Sequence, residues 1–174
     1  MKIVFSTIIL LVLLAANIAA QTEKCDLTLK DAPNLLNIRL EMSPQETQEA
    51  FGGKLKVKVK KEGTFFQNYI DKKPPSFLPN VRAVYLRFFD RKLYQIEIFY
   101  QPQTERRTLA EFTEQLSAQL NLPANLWTTE YGKASLVCAD FSLVADNVLN
   151  PRVQLTDEAI RARFDAAQES KKRK

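Results

Sequence analysis

The spacing of apolar and polar residues changes along the chain, and each change predicts an element. Residues 3–16 are almost purely apolar, interrupted by Ser6 and Thr7. A polar stretch follows over 21–33, with a short strand expected from Leu27 to Leu29, and a mixed run over 35–42 leads into Ser43-Pro44-Gln45-Glu46. Ser43 suits a helix N-cap, Pro44 the first helical position, and Glu46 completes a capping box. The helix should stop at Gly52-Gly53, where a left-handed residue is cheap. From Lys54 to Lys60, lysines alternate with Leu55, Val57 and Val59. Period two gives a strand with one apolar face and one lysine face. Three prolines between 74 and 79 make 72–79 a loop.

Residues 81–89 and 93–100 are rich in β-branched and aromatic types and are separated by Asp90-Arg91-Lys92, which predicts a hairpin. Val84, Leu86 and Phe88 share one face of the first strand. On the second, Tyr94, Ile96, Ile98 and Tyr100 share a face, with Gln95 and Glu97 opposite. Thr108 to Glu111 forms a second capping box. Leu109, Phe112, Leu116 and Leu120 then make the stripe of an amphipathic helix, ended by Leu122-Pro123. Val137, Ala139, Phe141, Leu143 and Ala145 alternate through a strand expected over 134–146, a turn follows at Asn150-Pro151, and 152–155 reads as a return strand. Thr156 should cap a last helix reaching about Gln168, with Ile160, Phe164 and Ala167 on one side.

Helices alternating with hairpin-linked strands indicate an α+β fold: an antiparallel sheet with about three helices packed on one face. The element order also fits a degenerate tandem of two helix-plus-strands units.

The N-terminal pattern is an address rather than a fold element. Lys2 supplies a basic start, 3–16 an apolar core and Ala19-Ala20 a small-residue cleavage site, which is the order of a secretory signal. The expected organisation is a signal peptide over 1–20, a polar lead-in over 21–33, one α+β domain over 34–168 and a basic disordered tail over 169–174. Cleavage near Ala20 would give a soluble secreted or periplasmic protein with no transmembrane segment; a retained N-terminal anchor is the alternative. Export favours pairing of Cys25 with Cys138, the two cysteines of the chain.

Composition narrows the chemistry. The chain has 25 Lys+Arg, 20 Asp+Glu and no histidine. Without imidazole there is no Ser-His or Cys-His pair and no imidazole zinc site, and two cysteines cannot build a four-thiolate site. Neither a metal nor a cofactor is indicated. Without Lys2 the net charge is +4, which Lys171, Lys172, Arg173 and Lys174 supply by themselves. The folded body is therefore balanced in charge, which argues against a nucleic-acid partner.

The stretch Ile38 to Glu46, continuing to Phe51-Gly52, followed by the hairpin Leu86 to Ile96, resembles the SmpA/OmlA outer-membrane assembly lipoproteins and their relatives of the β-lactamase-inhibitor-protein fold. That resemblance covers 35–100. Glu41 stands where the family carries glycine, and the family's lipidated cysteine is missing. The resemblance implies a helix-on-sheet fold used to bind proteins, without catalysis.

The candidate binding residues are Lys54, Lys56, Lys58 and Lys60 on the lysine strand, Phe77 in the proline-bounded loop, and Tyr85 and Phe89 on the outer face of the hairpin. The lysines read first as a solvated face that resists edge pairing, and as a second possibility they meet an anionic surface. The hairpin aromatics, Phe88, Tyr94, Phe99 and Tyr100 included, divide between core and groove. Trp127 should plug the core. Glu97, Asp140 and Asp146 are the carboxylates on or beside strands, and their spacing singles out no catalytic pair. The expected function is a non-catalytic protein-binding module of the cell envelope, with an envelope or extracellular protein as partner. A small secreted carboxylate-dependent hydrolase and an inhibitor of another exported protein are the alternatives.

Overall fold

Among the described residues, every strand pair in the computed structural model is antiparallel, and the strands join into one seven-stranded sheet. The structure describes residues 24–52, 66–69, 80–101, 108–146 and 151–173. In chain order the elements are α1 (Pro44–Ala50), β1 (Phe66–Tyr69), β2 (Val81–Phe89), β3 (Lys92–Tyr100), α2 (Leu109–Leu120), a 3₁₀ turn (Ala124–Leu126), β4 (Thr128–Glu130), β5 (Lys133–Val137), β6 (Phe141–Asp146), β7 (Arg152–Asp157) and α3 (Glu158–Lys172). The strand order is β1-β2-β3-β7-β6-β5-β4, so the last strand to be made sits between the two hairpin groups and joins them. The α+β class with an antiparallel sheet and three helices is as the sequence predicts. The signal peptide expected over 1–20 and the lysine strand expected over 54–60 lie outside the described residues.

Local rules account for the helices. Both capping boxes form: Ser43 caps α1 and Thr108 caps α2, with Glu46 and Glu111 reaching back to the cap N–H groups. Gly52 follows α1 at φ +61°, and Asn121 ends α2 at φ +53°. Asp90 and Arg91, both at positive φ, turn β2 into β3.

One face of the sheet carries the main core. Val84, Leu86 and Phe88 of β2, Ile96 and Ile98 of β3, Val153 and Leu155 of β7, Leu143 and Ala145 of β6 and Leu136 of β5 are all buried in one cluster. Leu116 of α2 and Phe51 beyond α1 belong to it, and Leu109, Phe112 and Leu120 pack against it. The segment 35–40 adds Leu35, Ile38 and Leu40, held in a tight turn by paired Leu35–Ile38 backbone bonds of 2.9 and 3.0 Å.

Several expectations need correction. Leu27 to Leu29 is not a strand; it lies beside the β5–β6 turn, where the Ala139 N–H donates to the Leu27 carbonyl (3.1 Å) and the Leu29 N–H donates to the Asp140 carboxylate (3.2 Å). The single strand expected over 134–146 is a hairpin, because Cys138 to Asp140 turn and the Cys138 N–H donates to the Phe141 carbonyl at 2.9 Å. Strand β4 was not foreseen. Asp157, not Thr156, caps α3, accepting from the Ile160 N–H at 2.8 Å. This helix runs to Lys172, past the expected end at Gln168 and into the stretch expected to be a disordered tail. Lys171 and Lys172 sit in its last turn, where cations complement the helix dipole.

Helix packing differs in one respect. α1 and α2 lie on the core face, whereas α3 lies on the opposite face, where Phe164 meets Phe89 and Tyr94. The strand order also fits the degenerate tandem: a two-fold axis normal to the sheet between the antiparallel strands β3 and β7 relates β2 to β6 and β1 to β5 and leaves α1 and α2 on the same face, with β4 as an addition to the second unit.

Cys25 and Cys138 form a disulfide with Cα atoms 4.4 Å apart. It fastens the start of the described chain to the β5–β6 turn, which is compatible with an oxidising extracellular compartment. Among the described residues, no helix is long and apolar enough to cross a membrane.

Candidate interaction face

Two β-bulges decide what the second face of the sheet displays. Between Arg87↔Gln95 and Phe88↔Leu93 the register slips by one residue on β3, which makes Tyr94 the extra residue. Between Val81↔Tyr100 and Ala83↔Phe99 it slips on β2, which makes Arg82 the extra residue. A bulge turns its extra side chain to the same side as its neighbour's. Tyr94 therefore leaves the face of Ile96 and Ile98, where strict alternation places it, and Leu93 takes the core position. Arg82 likewise joins the face of Ala83 and Phe99.

Helix α3 covers one part of this second face. Tyr94 is buried and stacks on Phe164 at 5.5 Å between ring centroids, and Phe89 meets the same ring edge-on at 5.7 Å. Ile160 is buried beside the Asp157 cap, and Ser142 on β6 donates its hydroxyl to Glu158. Burial pushes the Tyr94 hydroxyl and the Asp157 carboxyl above their usual ranges; for Asp157 the Glu41 carboxylate adds to the rise, and bonds from the Ile160 and Ala159 N–H groups oppose it.

The rest of the face is half-exposed and carries a compact set of aromatic and charged groups. Phe99 of β3 pairs with Arg152 of β7, and Arg152 pairs in turn with Asp146 of β6. This puts the Arg152 guanidinium between two carboxylates: Nη1 to Glu97 Oε1 at 2.8 Å and Nη2 to Asp146 Oδ2 at 3.3 Å. Phe99 takes Tyr85 edge-on at 5.3 Å, and the guanidinium carbons of Arg82 and Arg152 each lie 5.9 Å from its ring centre. Cationic groups at that range are drawn to an aromatic ring.

Of the residues singled out from sequence, Tyr85 lies in this cluster. Phe89 lies on the same face but under α3. Lys54, Lys56, Lys58, Lys60 and Phe77 fall outside the described residues. Among the carboxylates, Glu97 and Asp146 come together, while Asp140 sits apart at the β5–β6 turn. Arg152 lies between Glu97 and Asp146 and pairs with both carboxylates. Among the described residues, no group of His, Cys, Asp and Glu is placed to hold a metal ion. Arg82 and Arg152 were not singled out from sequence: alternation assigns Arg82 to the other face, and Arg152 acquires its partners through strand pairing alone. Trp127 is half-buried against the core, its indole N–H donating to the Ser117 hydroxyl at 2.8 Å.

Comparisons with protein-family models, with curated proteins and with solved structures found no match.

Proposed function

We propose that the protein is an exported, non-catalytic binding module that meets a protein partner of the cell envelope or extracellular space. The observation that carries this reading is the Tyr85–Phe99 pair flanked by Arg82 and Arg152 on a half-exposed sheet face. Tyrosine and arginine are the side chains that most often anchor protein interfaces, because each couples a large contact area to a polar end. The disulfide and the signal-like N-terminus support export. The resemblance of 35–100 to the SmpA/OmlA and inhibitor-protein fold points the same way, toward protein binding on a helix-on-sheet scaffold.

The test is a capture experiment. The full chain is exported into an oxidising compartment and the product is used as bait against envelope extract, with captured proteins identified by mass spectrometry. One control bait carries Arg82→Glu with Tyr85→Ser; a second carries Glu at Lys54, Lys56 and Lys58. A protein kept by the parent and by the lysine variant, and lost by the Arg82/Tyr85 variant, supports the sheet face. Loss with the lysine variant alone moves the site to the lysine strand. Absence of any specific partner overturns the binding reading. Capture of an enzyme in a tight one-to-one complex would favour the inhibitor role.

A further inference from the structure

Among the described residues, β4 is the outermost strand on one side of the sheet, and all three of its residues are exposed. The turn next to it fixes which of its backbone groups point outward. β4 and β5 are joined by Tyr131-Gly132, both at positive φ (50° and 75°), so that Glu130 pairs with Lys133. A two-residue hairpin closes on a hydrogen-bonded pair, and bonded pairs alternate with unbonded ones. Glu130 and Thr128 therefore aim their N–H and C=O groups at β5, while Thr129 aims both of its own away from the sheet. A residue presenting donor and acceptor together on an edge is a template for an antiparallel partner.

The sequence around Thr129 is complementary to itself in that sense. About a two-fold axis through Thr129, the residue meets its own copy and exchanges two backbone hydrogen bonds with it. Thr128 comes opposite Glu130, so no like charges face each other. Trp127 and Tyr131 lie two residues to either side of the centre, which brings each beside the other in the second copy. Tyr131 is 98% exposed and Val137 63% exposed, the large apolar side chains left open to solvent among the described residues, and both belong to this hairpin. The indole of Trp127 is already held by Ser117, so its ring is preset for an incoming tyrosine. β4 is only three residues long and carries the charged Glu130, but no lysine, proline or bulge interrupts its edge.

We propose that β4 is a self-association edge: two copies of the chain pair antiparallel across Thr129 and join their sheets into one. The contact is small, which places it among weak, concentration-dependent dimers. The two-fold placement of the aromatic residues favours a second copy over an unrelated peptide, which needs no such symmetry.

Sedimentation equilibrium of the exported, purified chain tests this. The expected result is a dimer fraction that rises with concentration. Thr129→Pro should stay monomeric throughout with unchanged circular dichroism and melting, because its N–H makes no bond to β5 and proline is tolerated at such an edge position. Thr129→Cys should give a disulfide-linked dimer on mild oxidation, and Thr128→Cys, which is off the axis, should not. If Thr129→Pro fails to fold, the two cysteine variants decide. A parent chain that is monomeric at every concentration, a dimer that survives in a folded Thr129→Pro, or equal cross-linking of the two cysteine variants would overturn the proposal.

Discussion

Tyr94 stacks on Phe164 with an interplanar angle of 26°, and this contact joins β3 to α3 across the second face of the sheet. It exists because the bulge at Tyr94 turns the side chain away from the core. Phe164→Ala should lower unfolding stability by about 2–3 kcal/mol, below the range for a fully buried phenylalanine because the ring is half-exposed. Denaturant unfolding measures the loss. Amide exchange should rise in α3 before it rises in β3 or β7; equal changes in all three would contradict a helix held chiefly by that ring.

Arg152 neutralises two carboxylates at once, so its removal should cost more than removal of either partner. We expect about 1–3 kcal/mol for Arg152→Met and less for Glu97→Gln, given that the groups keep some solvent contact. A double-mutant cycle between positions 97 and 152 should show coupling. Additive losses would mean that the pair is not coupled.

Replacing both Cys25 and Cys138 with serine should lower stability by about 2–4 kcal/mol, since the bridge closes a loop spanning 113 positions. The backbone bonds from Ala139 and Leu29 are too few to hold the segment 24–34 alone. Limited proteolysis should then cut that segment first, while the buried Leu35 and Ile38 keep the chain beyond it in place.

Stability should depend on pH in two opposed ways. The Asp157 carboxyl is held above its usual range by burial, so the folded state keeps its proton longer than the unfolded chain does. Its contribution is greatest at acid pH and is lost as pH rises through the folded value. Asp157→Asn keeps the cap, because asparagine caps as well as aspartate. The variant should therefore gain on the parent as pH rises from about 4 to 7, a comparison made by urea unfolding at each pH. Asp31 and Glu46 act in the other sense. Backbone N–H groups of Thr28 and Ser43 hold their carboxyls below the usual range, and that contribution disappears as pH falls through the lowered values.

Glu41 adopts φ +67°, a conformation that favours glycine, and its carboxylate meets Lys92 at 2.6 Å in solvent. Glu41→Gly removes a backbone strain of about 1 kcal/mol and an exposed ion pair of at most similar size. Thermal unfolding should therefore place the variant within about 1 kcal/mol of the parent. A larger loss would show that the Lys92 contact is worth more than an exposed pair.

What the sequence determined by itself is what neighbours along the chain can settle. Ser43 with Glu46 and Thr108 with Glu111 are three residues apart, and their caps need nothing from the rest of the molecule. The β2–β3 hairpin was legible from two strand-like runs and a polar turn, and the Cys25–Cys138 pairing from the expected export and from there being two cysteines. Tertiary structure decided the rest, because the deciding contacts lie between strands distant in sequence. Alternation in Val137 and Ala139 continues through a turn, so only the return of Phe141 onto Cys138 reveals two strands. Arg82 and Tyr94 change faces through register slips that belong to a pair of strands and not to either one. The stripe Ile160, Phe164 and Ala167 says that α3 buries one side, but not which face of the sheet receives it. β7, placed between β3 and β6, brings Arg152 beside Glu97 and Asp146, and that placement follows from packing the whole sheet.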